Sequence, residues 1–195
     1  IKIGIAAITL GIIVMMIAIA TGIGLQQKIR DKIVAFNGHV IILNYDKNNS
    51  QESEKPISTK QAFYPNFNRV SGVKHIQGVA TKGAVVRLKE TVEYVVIKGV
   101  GKDYNWNYFK DFLVEGRLPD YSKKLNEDIL ISKYFANRLQ LKIGDKINTY
   151  FMRKDLNKPP RSRNFKIVGI HDSGFKEFDE LYAIGDIRHI QKLNK

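Results

Sequence analysis

The sequence predicts an α+β protein: one apolar transmembrane helix, then an external domain of mixed strands and short helices in two lobes. Three observations carry this reading. Residues 3–25, IGIAAITLGIIVMMIAIATGIGL, hold no charged side chain and are apolar around the whole helix circumference. The rest of the chain alternates β-rich runs with polar or glycine-bearing turns. Several short stretches there open on a capping residue and keep helical spacing.

The first run is long enough to cross a bilayer, whose core of about 30 Å takes roughly 20 helical residues. Lipid offers a bare backbone no hydrogen-bond partners, so a helix is the form such a run takes. A signal peptide would have an apolar stretch of only about 7–15 residues and a small-residue cleavage site, and Gln26-Gln27-Lys28 is no such site. Orientation is not set by charge. Lys2 precedes the span, and Lys28, Arg30 and Lys32 follow it, yet long domains translocate largely regardless of charge. Because the chain starts at Ile1 rather than Met and ends without a second apolar span, it reads as a piece of a longer membrane protein.

Residues 1–25 are thus read as the span and 26–36 as a helical stalk with Ile29, Ile33 and Phe36 on one face. Asn37-Gly38 stops the stalk, since both residues tolerate a left-handed backbone. A first lobe is placed at 37–102 and a second at 103–195. In the first, 39–45 (HVIILNY) reads as a strand and 46–55 as a polar loop. Ser58 caps an expected helix reaching about Val70 and interrupted at Pro65. Three β-rich stretches then fill 73–101, with a hairpin turn at Glu90-Thr91. In the second lobe, Tyr104, Trp106, Tyr108, Phe109 and Phe112 cluster; core packing is favoured over base stacking, because nothing else builds a nucleic-acid motif. Glu115-Gly116-Arg117 reads as a turn and 128–131 as a strand. Ser132 caps a helix over 133–141. Strands are expected at 146–151, 164–170 and 181–184, with a basic loop at 152–163 and a last helix from the Asp186 cap to Leu193.

The sequence has 195 residues and a net charge of +13, from 32 Lys+Arg against 19 Asp+Glu. A basic balance suits an anionic partner. No cysteine is present, which excludes disulfides and thiolate metal sites. Gly99-Val100-Gly101-Lys102 lacks the spacing of a phosphate-binding loop. The four histidines are scattered, and no G-x-S-x-G occurs. Neither an enzyme nor a cofactor site is expected; binding, coupling or transport is.

A resemblance sharpens this. Phe112 to Arg117 (FLVEGR) is followed by Asp128 to Ser132 (DILIS), Ala136 to Leu139 (ANRL) and Leu141 to Ile147 (LKIGDKI). Phe165 to Ile170 (FKIVGI) and Gly174 to Asp179 (GFKEFD) complete the series. In that order they resemble the external domain of FtsX/MacB-type ABC permeases, most closely the lipoprotein-releasing permeases LolC and LolE. The G-x-x-E-x-D string favours that branch, and 46–67 matches weakly.

The resemblance implies a four-span permease of the bacterial inner membrane, with the domain after residue 25 in the periplasm. Its partners would be a second permease subunit or a copy of itself, a cytoplasmic ABC ATPase, the lipoprotein substrate, membrane lipid and a periplasmic lipoprotein carrier, with no nucleic acid. In LolC-like members a β-hairpin hook captures the carrier beside a polar pad. This places the hook tip at Leu156, Asn157, Lys158, Pro159 and Pro160 and the pad at Ser162 and Arg163; an ordinary basic loop is the competing reading. Ile29, Ile33 and Phe36 would line the substrate cavity, unless they serve in packing. A LolC-like, LolE-like or combined subunit stays open, as does a MacB-like exporter or an FtsX-like coupler.

Overall fold

The computed structural model describes residues 2–45, 55–88, 91–153, 155 and 157–194. The chain divides into two compact units, 1–41 and 42–195. In the first, one helix, α1 (Lys2–Asn37), runs unbroken from the apolar stretch through the stalk. It is long and apolar enough to cross a membrane, and its apolar window has no buried residue. Gly38, at φ +76°, ends it by donating its N–H to the Val34 carbonyl at 2.8 Å, a left-handed C-terminal stop.

The second unit is built on strands β1 (Val79–Leu88), β2 (Thr91–Val100), β3 (Leu113–Gly116), β4 (Asp128–Ser132), β5 (Lys146–Phe151), β6 (Arg161–His171) and β7 (Tyr182–Asp186). Helices α2 (Lys133–Leu139), α3 (Lys176–Asp179) and α4 (Ile187–Leu193) join them, with two 3-10 turns at Trp106–Tyr108 and Lys110–Phe112. The strand order is β3-β6-β4-β7-β2-β1-β5, and β5 pairs back onto β6, so six strands close into a ring. β1 and β2 come from the stretch assigned to a first lobe, yet they lie in one sheet with β3 to β7. Asp103, placed at the start of a second lobe, ties the two stretches together. Its carboxylate accepts from Tyr64 Oη at 2.9 Å and Gly78 N at 2.7 Å.

Three expectations from sequence are corrected here. Residues 39–45 form no strand; an extended run becomes one only through a ladder, and this run has no pairing among the described residues. Residues 58–70 form turns, not a helix. Ser58 Oγ does accept from Lys60 N at 3.1 Å, but Pro65 lacks an N–H and disfavours helical backbone at Tyr64. Glu115-Gly116 ends β3 rather than forming a free turn, with Gly116 at φ +83° against β6. The predicted stretches between 75 and 88 fuse into β1, and Leu88 pairs with Thr91, so the hairpin loop is 89–90, outside the described residues. β4, β5 and β7 and both caps stand close to expectation, whereas β6 starts at Arg161, three residues before the expected strand. Ser132 Oγ accepts from Phe135 N and Asp186 Oδ1 from Arg188 N.

Each sheet face has its own cover. α2 and α4 close one face over a core that includes Val86, Ile97, Ile131, Phe135, Phe165 and Ile190. The segment 101–125 covers the other, where Tyr104 and Phe109 are buried and Tyr121 donates to the carbonyls of Asp128 and Ile184. The aromatic cluster is therefore core at Tyr104 and Phe109, with the Phe109 ring 5.1 Å from that of His171.

Gly99 on β2 lies under α4, and a Cβ built there would stand 2.7 Å from Ile187 Cα. Gly99→Val therefore pushes α4 off the sheet. A loss of about 1–3 kcal/mol is expected, read as a lower unfolding midpoint in denaturant; an unchanged midpoint contradicts the packing described.

Candidate functional site

The hairpin β5–β6 carries the residues assigned to hook and pad. Its register runs from Lys146↔Lys166 to Phe151↔Arg161, so the connecting loop is 152–160 and not 152–163. Ser162 and Arg163 belong to β6. Strand alternation sends neighbouring side chains to opposite faces, so the two do not form one pad. Ser162 is exposed on the outer face. Arg163 lies on the α4 side with Nη1 donating to the Ser162 carbonyl at 2.8 Å, close enough to His189 to disfavour its protonation.

In the loop, Asn157, Lys158, Pro159 and Pro160 are exposed, and Leu156 lies outside the described residues. Asp155 shapes the turn. Its Oδ1 accepts from Asn157 N at 3.1 Å, its carbonyl accepts from Lys158 N, and its carboxylate pairs with Lys158 Nζ at 3.3 Å. Both ends of that ion pair face solvent, so it adds little stability. The two prolines restrict the backbone before any partner arrives, which lowers the ordering cost of docking. Arg161, read from sequence as one of the loop's free cations, is used inside the domain: its Nη1 donates to the carbonyls of Lys192 and Leu193, closing the C-terminal end of α4. Nothing local announces this. The only hint is a basic residue whose strand must pass a helix end with unsatisfied carbonyls.

Two family strings acquire roles that spacing alone did not reveal. In Lys142-Ile143-Gly144-Asp145, the Asp145 carboxylate accepts from Lys142 N at 2.8 Å, while Gly144 N and the Asp145 carbonyl bond to Ile167 of β6. In Gly174 to Asp179, the last residue is a buried anchor. Asp179 Oδ1 accepts from Ser173 N and Ser173 Oγ, at 3.2 and 2.9 Å, and lies 3.5 Å from His171 Nδ1. Its carbonyl accepts from Ser132 Oγ at 2.5 Å. Burial pushes the Asp179 carboxyl up and the fully buried His171 down to about 4. This network holds the turn before β7 to the start of α2.

Along α1, Ile29 and Ile33 are exposed and line an open groove with Arg30, Val34 and His39, whereas Phe36 is buried and is not part of that lining.

His171 is neutral in the fold and titrates near 6.5 when unfolded. Below pH 6.5 the unfolded state binds the extra proton, so stability falls as pH drops from 6.5 to about 4, by about 3 kcal/mol in all. His189, also lowered by burial, adds to the fall; Asp179 opposes it in the acid part. Denaturant unfolding from pH 7 to 4 checks this, and His171→Gln is expected to flatten the slope.

The sequence pattern of the family described as MacB-like periplasmic core domain matches residues 3–191. No curated protein matches. Among solved structures, the extracellular domain of the noncanonic ABC-type transporter YknZ from Gram-positive bacteria is similar, with a TM-score of 0.44 and 17% identity. The match covers 64% of this chain and 60% of that one, so this chain spans less than two thirds of the solved domain.

Proposed function

The chain belongs to the family of MacB-like periplasmic core domains, and we propose that it is the permease subunit of an ABC complex that releases lipoproteins from the inner membrane. In this reading α1 is the first span and the unit 42–195 stands in the periplasm. A separate cytoplasmic ATPase supplies the energy, and a second permease subunit or a copy of this one completes the pair. The released lipoprotein passes to a soluble periplasmic carrier, with Ile29 and Ile33 bordering the acyl chain as it leaves; Phe36, assigned to the same cavity from sequence, is buried and takes no part in this role.

The observation that carries the proposal is the β5–β6 hairpin, whose loop exposes Asn157, Lys158, Pro159 and Pro160 and is stiffened at its end by two prolines. A loop that served only to connect two paired strands would need two to five residues; this one is longer and basic, which leaves a stiff cationic projection for a partner. A MacB-like exporter or FtsX-like coupler is the second reading, and the family pattern, which separates no branch, fits it equally.

The test uses the full chain in nanodiscs and the purified lipoprotein carrier of the same cell. The wild type is expected to bind, and Pro160→Gly to weaken binding by roughly two- to fivefold through the added loop entropy. Arg163→Glu, on the opposite face from Ser162, is expected to act less. A folded wild type that ignores the carrier removes the hook assignment and leaves either a LolE-like subunit that does not meet the carrier or another branch of the family, which the identity of the ATPase encoded beside it then decides.

A further inference from the structure

We infer that the base of the stalk is a binding site for an anionic phospholipid, with Arg30 as the ligand of its phosphodiester. This rests on α1 as a membrane span and holds whether or not the chain releases lipoproteins. The charge-free run ends at Leu25, and Lys28, Arg30 and Lys32 follow at once. At the helical rise these three lie about 5–10 Å beyond Leu25 along α1. The polar layer of a bilayer is about 5–8 Å deep on each side of the hydrocarbon, and long basic side chains bend back toward it. The three cations therefore stand at the depth of the lipid phosphates.

Charge at this depth is almost all of one sign. Residues 1–45 contain Lys2, Lys28, Arg30 and Lys32 and a single carboxylate, Asp31. Asp31 Oδ1 accepts from Gln27 Nε2 at 2.7 Å. Among the described residues, Lys28, Arg30 and Lys32 form no ion pair. Their positive charge is left for an anion from outside the chain, and in a membrane the phosphodiester is the anion present at that level.

The helix sorts these residues into two faces. Gln26 and Arg30 stand one turn apart on one side, flanked by Ile29 and Ile33. That side lines the open groove together with Val34, Gly38 and His39. The left-handed backbone of Gly38 turns the chain, so that His39 comes back beside the helix. The groove thus sets three polar side chains, Gln26, Arg30 and His39, around an apolar wall of Ile29, Ile33 and Val34. A guanidinium fork meets two phosphate oxygens at once, and the Gln26 amide donates a further hydrogen bond. The apolar wall suits the first methylenes of the acyl chains, which a free phosphate lacks. Lys28 and Lys32, one turn apart on the opposite face, add positive field without entering the groove.

The experiment titrates the full chain in detergent micelles with phosphatidylglycerol and with phosphatidylcholine of the same acyl chains, and counts bound lipid by native mass spectrometry. Phosphatidylglycerol is expected to bind at least about fivefold more tightly. Arg30→Gln is expected to raise its Kd roughly fivefold. Arg30→Lys, which keeps the charge and loses the fork, is expected to fall between Arg30→Gln and the wild type. Lys110→Gln removes the same charge from an exposed position in a 3-10 turn of the other unit and is expected to leave Kd unchanged. Circular dichroism establishes that each variant keeps its helix. Equal affinity for the two lipids, or a Kd that Arg30→Gln does not move, overturns the site. Equal losses in Arg30→Gln and Lys110→Gln also overturn it, because net charge alone then accounts for binding. Displacement of the lipid by an equal concentration of glycerol phosphate overturns the choice of a lipid as ligand. None of these outcomes depends on the carrier, so failure of the lipoprotein-release reading is read separately.

Discussion

β6 is the strand on which the domain depends. Its first half pairs with β5, and its second half pairs with β4 on one side and β3 on the other. Lys166 opposes both Lys146 and Asp128, so the backbone is held from both sides at the point where the partners change. A strand shared among three neighbours has no free edge over most of its length, and its register cannot slip without breaking several ladders at once. Ring closure depends on the same strand. β5 reaches β1 through only two residue pairs, Val85↔Tyr150 and Val86↔Thr149, and the long β5–β6 ladder places it there.

This explains how an exposed loop can be positioned accurately. Residues 157–160 extend from the same two strands that close the ring, and the root of the hairpin is packed through Ile147, Phe151 and Phe165. Arg161 fastens the first residue of β6 to the end of α4. Any force on the loop is therefore passed to the core rather than absorbed by a hinge. The buried Asp179, Ser173 and His171 do similar work at the other end of the sheet, where they hold the turn between β6 and β7. A buried polar cluster is costly unless satisfied, and Asp179 meets that condition by accepting three hydrogen bonds, two at its carboxylate and one at its carbonyl.

The candidate site was legible in part. The exposed prolines and the basic run were visible as sequence, because turn chemistry is local. The pad was not. Ser162 and Arg163 are adjacent in the chain, but once strand β6 extends back to Arg161 they face opposite ways.

Local physics was written in the chain itself: a charge-free run that must be helical, Gly38 as its stop, Ser132 and Asp186 as caps, the short apolar runs that gave β4 and β7, and the alternation that gave β5. These depend on residues a few positions apart. Tertiary structure alone decided which strands pair, that the supposed lobes share one sheet, and that Gly99 must be bare beneath α4. It also decided that 39–45, β-rich by composition, goes unpaired among the described residues. A ladder needs a partner from elsewhere in the chain, and the choice of partner is settled by burying all the apolar faces at once, which no single stretch of sequence records.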